Sequence, residues 1–89
     1  MNTLEIKQRI TDWCLAQFKA KQTVYLTAYF CRKVIPGLNY AQPEEIDFVL
    51  QCILRLQREK VARRINDHIL HRAYICKREN IKQHVKLHK

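Results

Sequence analysis

The sequence predicts a mainly α domain with a small β-hairpin, the alternative being an all-α small helical bundle. Three observations point there. Apolar side chains recur at threes and fours over residues 3–20 and again from residue 43, the period of a helix with one buried face. Residues 60–65 instead alternate in character, and residues 72–77 are rich in strand formers, so the two segments suit a hairpin. The chain has 89 residues, 47% of them hydrophobic, which supports one core and leaves little room for a second. One domain is therefore expected over residues 1–77, followed by a basic tail over 78–89.

The first helix is expected over residues 3–20, with Ile6, Ile10, Trp13, Cys14 and Phe18 on one face and Thr3 as its N-cap. Residues 23–27, Thr-Val-Tyr-Leu-Thr, favour an extended backbone, and Thr27 can cap the helix that follows. That second helix is expected over residues 28–35, with Phe30 and Val34 on one side, and it ends at Pro36-Gly37. Gln42-Pro43-Glu44-Glu45 starts the third helix, because proline is tolerated in the first turn and carboxylates complement the positive end of the helix dipole. Its apolar stripe is Ile46, Val49, Leu50, Ile53, Leu54 and Leu56. The opposite face carries Glu44, Phe48, Gln51, Arg55 and Arg58. From Lys60, alternation through Val61, Arg63 and Ile65 and the turn-prone pair Asn66-Asp67 suggest a hairpin closing on residues 72–77, the competing reading being one long helix past Asp67. In the tail, Ile81 and Val85 stand four apart among basic residues.

Charge narrows the function classes. The chain carries 17 Lys and Arg against 8 Asp and Glu, a net charge of +9. The excess lies in the second half: residues 1–57 hold 7 basic and 5 acidic side chains, and residues 58–89 hold 10 and 3. Such a field attracts polyanions, the plain alternative being a solubilising surface. Cys14, Cys31, Cys52 and Cys76 follow neither a close-pair metal pattern nor a compact disulfide framework, and read as buried, reduced thiols. With no leader-like N-terminus and no long apolar run, a cytoplasmic protein without a membrane partner is expected.

Helix, short strand, helix, turn, helix and basic hairpin, in that order, resemble a winged helix-turn-helix domain over residues 3–77. The part that carries the resemblance is Ile46 to Cys76: Val49-Leu50 and Ile53-Leu54, the basic exit Arg55-Leu56-Gln57-Arg58-Glu59-Lys60, then Val61-Ala62-Arg63-Arg64-Ile65 and Tyr74-Ile75-Cys76. The resemblance implies a DNA-binding regulator whose third helix enters the major groove of double-stranded DNA while the hairpin follows a phosphate backbone. Phe48, Gln51 and Arg55 offer a thymine-methyl contact, an adenine-reading amide and a guanine- or phosphate-matching fork. Arg58, Lys60, Arg63, Arg64 and Arg72 would neutralise phosphates.

Other readings stay open. Glu44, Glu45 and Asp47 cluster at the start of the third helix, as in a helix cap or a protein-facing surface, and Phe48 on a polar face suits a protein interface. A protein-interaction module is therefore one alternative. An RNA-binding module, with Tyr25, Tyr29, Tyr40 or Tyr74 stacking on bases, is another. A homodimer is compatible with a domain of this kind, and Trp13 could contribute to its contact. Cys76, His84 and His88, or His68 and His71, do not complete a zinc site, so no metal or other cofactor is expected. No enzyme and no small-molecule substrate are expected either, because the chain has no Gly-rich phosphate loop and no serine.

Overall fold

The computed structural model describes residues 1–58 and 73–81. Helix α1 is Thr3–Gln17, strand β1 Thr23–Leu26, helix α2 Ala28–Val34 and helix α3 Pro43–Phe48; strands β2 and β3 are Gln57–Arg58 and Tyr74–Lys77. The domain is mainly helical with a small antiparallel sheet of order β1-β3-β2, in which Tyr25 and Gln57 both pair with Ile75 and Arg58 pairs with Tyr74.

The local chemistry accounts for each boundary. Asn2, not Thr3, caps α1, its side-chain oxygen accepting from the Glu5 N–H at 2.8 Å. The expected cap lies one residue too late because Thr3 is already helical. Thr27 does cap α2, accepting from the Phe30 N–H at 3.0 Å. After Pro36, Gly37 takes a φ of 89°, and a Cβ there would lie 2.5 Å from an Arg9 guanidinium nitrogen. The left-handed conformation is what favours glycine here, since the Arg9 guanidinium is the end of a flexible side chain that could move aside. A 3-10 turn, Leu38–Tyr40, leads to α3, where the Gln42 N–H donates to the Glu45 carboxylate at 3.2 Å in a capping box.

The third helix departs from expectation at its end. After Phe48 it widens into a π turn, Val49–Ile53, with the Leu54 N–H donating to the Val49 carbonyl at 2.8 Å. Arg55 then turns left-handed at φ 53°. Leu54 and Leu56 are both buried, and residues two apart on an α-helix point about 200° away from each other, so the reversal is what lets both face the core. The expected helical exit through Arg58 is thereby corrected: Arg58 belongs to β2, which opens the hairpin at Gln57 rather than after Lys60. The region expected to complete it, residues 59–72, lies outside the described residues.

One core gathers Ile6, Ile10, Cys14 and Phe18 of the α1 segment with Leu26, Ile46, Val49, Leu50, Tyr74, Cys76 and Ile81. Residues 78–81 are helical, and Ile81 packs into that core. In α2, Phe30 and Val34 share one side as expected, and it is the outer one. Ala28 and Cys31, with Ile35 just beyond the helix, point inward, while Phe30 and Val34 remain exposed. The inward set has the same helical spacing but smaller side chains, which suits close packing of a short helix. Cys14, Cys31 and Cys76 are buried as expected, whereas Cys52 is exposed.

Candidate nucleic-acid interface

Four of the eight residues expected to contact DNA, Phe48, Gln51, Arg55 and Arg58, are described; Lys60, Arg63, Arg64 and Arg72 lie outside the described residues. Phe48 is 47% exposed on the outward side of α3, and Arg55 and Arg58 are exposed as well. Arg55 closes the π turn with its side chain engaged in no hydrogen bond or ion pair among the described residues. Its left-handed backbone is sparsely populated by residues with a Cβ.

Gln51 and Arg58 are joined. The Arg58 guanidinium donates to the Gln51 amide oxygen at 3.4 Å, and the Gln51 amide nitrogen donates to one Asp47 carboxylate oxygen at 3.3 Å. The other Asp47 oxygen accepts from the Tyr74 hydroxyl at 2.9 Å. Arg58 also sits 6.0 Å from the centre of the Tyr74 ring, within reach of a cation–π contact. The chain Tyr74–Asp47–Gln51–Arg58 therefore ties β3 and β2 to the third helix. Burial, followed by the bond to Asp47, pushes the Tyr74 phenol above its ordinary pKa, with Arg58 acting in the opposite direction.

This network changes how the acidic cluster reads. Asp47 is only 3% exposed and turned toward Tyr74, and the Glu45 carboxylate is occupied by the capping box, which leaves Glu44 as the exposed carboxylate without such a role. Tyr74 itself is buried and therefore offers no ring for base stacking, a correction to the RNA reading; Tyr25, Tyr29 and Tyr40 remain exposed. The Asp47–Tyr74 contact could not be read from the sequence because its partners stand 27 residues apart. The i, i+4 spacing of Asp47 and Gln51 was the one local signal.

Beyond the third helix, Arg78 fastens the end of α1 to β3, donating to the carbonyls of Phe18 and Lys21. A shallow cavity beside it, of about 380 Å³, is lined by Leu15, Phe18, Lys19 and Arg78. Among the described residues no group of His, Cys, Asp and Glu is arranged to hold a metal ion, and no helix is long and apolar enough to cross a membrane. His68, His71, His84 and His88 lie outside the described residues. The architecture is that of a small helix-rich domain with a three-stranded antiparallel sheet, compatible with a winged-helix shape. Compared with protein-family models, with curated proteins and with solved structures, the chain has no match.

Proposed function

We propose that this domain is a non-catalytic winged-helix module that binds duplex DNA and acts as a regulator by occupying it. The reading rests on one observation above the others. The third helix turns its potentially repulsive Asp47 inward while Phe48 and Arg55 face solvent and Arg58 is held beside Gln51. A net charge of +9, concentrated after residue 57, supplies the long-range attraction. In this mechanism Arg55 and Phe48 meet the groove, and Arg58 leads into the phosphate contacts assigned to Lys60, Arg63, Arg64 and Arg72. Gln51, engaged on both sides of its amide, positions the hairpin against the helix before it reads any base.

The test is fluorescence anisotropy with a mixed-sequence duplex across a salt series. Counterion release makes affinity fall steeply with salt, and removing two phosphate contacts in Arg63→Ala/Arg64→Ala lowers the log–log slope by about 2. Absence of binding at low salt overturns the proposal. The exposure of Tyr40, at 79%, together with Phe48 favours a second reading, a module docking on a protein. On that reading Phe48→Ala abolishes partner binding, and the duplex shows no salt-dependent affinity.

A further inference from the structure

We infer that the domain accepts duplex DNA whatever its base sequence, because the third helix brings to the groove no side chain able to favour one base pair strongly over another. The inference rests on the duplex-binding reading and concerns which duplexes that site takes. A helix that reads sequence needs outward side chains held in place over the base edges. From Pro43 onward the exposed side chains are Glu44, Phe48, Cys52 and Arg55, with Gln51 half-buried beside them. Of these, Gln51 and Arg55 have the chemistry to read adenine and guanine, and the surroundings of each weigh against it.

The Gln51 amide is held between two groups of its own chain, its nitrogen donating to Asp47 at 3.3 Å and its oxygen accepting from Arg58 at 3.4 Å. A bidentate contact to adenine uses the same nitrogen and oxygen, and turning them outward takes a donor from the buried Asp47 carboxylate. Leaving a buried acceptor without its donor costs about 5- to 150-fold in an equilibrium, and a bidentate base contact is worth about the same factor. The two cancel, so adenine gains no net advantage. Arg55 fails differently. It lies beyond the π turn at φ 53°, exposed, and among the described residues no second group holds its guanidinium. A phosphate accepts such a group from many directions, whereas a guanine edge demands the fork in one plane. Phe48 on a thymine methyl, at the scale of one buried CH₂, discriminates about fourfold. The Cys52 thiol is a weak donor, and the Glu44 carboxylate repels the phosphates bordering any groove. What remains is the net charge of +9, which neutralises phosphates without reading bases.

The experiment is repeated selection by the full chain from a duplex pool of randomised sequence, with the starting and enriched pools then compared by fluorescence anisotropy at one low salt concentration. The enriched pool should bind no more than about tenfold tighter, against the roughly 10³-fold or more that separates specific from non-specific sites in a sequence reader. Gln51→Leu should weaken both pools alike and leave their ratio unchanged, because the amide positions Arg58 and touches no base. In an Arg58→Ala background it should cost no further affinity, the signature of a residue acting through another. Circular dichroism checks the fold of each variant, and the pool ratio of the parent chain stands without them. An enriched pool beyond that tenfold limit, or a Gln51→Leu loss that is confined to the enriched pool or persists without Arg58, would overturn the inference and leave duplex binding intact. No affinity for either pool at low salt would overturn the duplex-binding reading, and the inference with it.

Discussion

Replacing Arg55 by glycine should make the domain more stable and its DNA binding weaker. At φ 53° the arginine Cβ crowds the backbone, and left-handed conformation costs an L residue roughly 1–2 kcal/mol. Glycine removes that strain but gains freedom in the unfolded chain, a loss of about 0.5–1 kcal/mol. The balance is a stabilisation of about 0.5–1 kcal/mol, because the exposed Arg55 side chain has little packing to lose. For a domain of this size that raises Tm by about 4 °C. Arg55→Ala is the control, since it removes the guanidinium and keeps the strained backbone. Thermal unfolding followed by circular dichroism should place the glycine variant above both the alanine variant and the parent. Anisotropy on a mixed-sequence duplex should show both variants weakened alike, each with a salt slope lower by about 1. A glycine variant no more stable than the alanine variant would refute the assignment of strain to this backbone position. Unaltered DNA binding would show that Arg55 is no contact.

Three further outcomes follow from the core. Tyr74→Phe leaves one oxygen of the buried Asp47 carboxylate without its donor and should destabilise the domain by about 1–3 kcal/mol in a urea titration; a loss below about 0.5 kcal/mol would show the Tyr74–Asp47 bond to be idle. Stability should decline on the alkaline side: Cys31, pushed up chiefly by burial, Cys76, chiefly by its bond to Cys14, and Tyr74, chiefly by burial, all hold their protons more tightly folded than unfolded. Their contribution is complete below the unfolded pKa values, about 8.5 for the thiols and about 10 for the phenol, and is lost as pH rises through the folded ones. Lys7, pushed down by burial, opposes this as it deprotonates, so urea midpoints at pH 7, 9 and 10.5 that fail to fall would contradict the thiol and phenol assignments. Under native conditions a thiol-specific reagent should label Cys52 alone among Cys14, Cys31, Cys52 and Cys76, the remaining three reacting only on unfolding.

Much of the fold was legible because its determinants are local. The α1 stripe, the strand at Thr23–Leu26, the Thr27 cap, the stop at Pro36-Gly37 and the start at Pro43 each depend on residues within a turn or two of one another. The missing parts depend on distance. Which side of α2 is buried, Ala28 and Cys31 rather than Phe30 and Val34, is set by packing against the rest of the chain and by no local pattern. The end of the third helix was hidden for a related reason: Leu54 and Leu56 continue the apolar stripe on paper, and the backbone reverses at Arg55 between them so that both are buried. At the candidate site the exposed position of Phe48 could be read from helical phase, whereas Arg55, exposed as expected, owes its position to the left-handed turn beyond the helix. The engagement of Gln51 could not, since it needs Arg58 returned by the strand.

The same few residues join fold and site. A buried carboxylate is destabilising unless its oxygens are bonded, and Asp47 meets that demand with one donor from its own helix and one from β3. Because the two donors lie on different elements, satisfying Asp47 fixes the sheet against the helix, and Gln51 passes that constraint on to Arg58. A hydrophobic residue at position 47 could fill the space but would supply no direction. Polar groups in this corner therefore set orientation where apolar packing alone would allow sliding. On the proposed function that orientation matters directly, because a helix and a hairpin that are to meet a rigid duplex must arrive together.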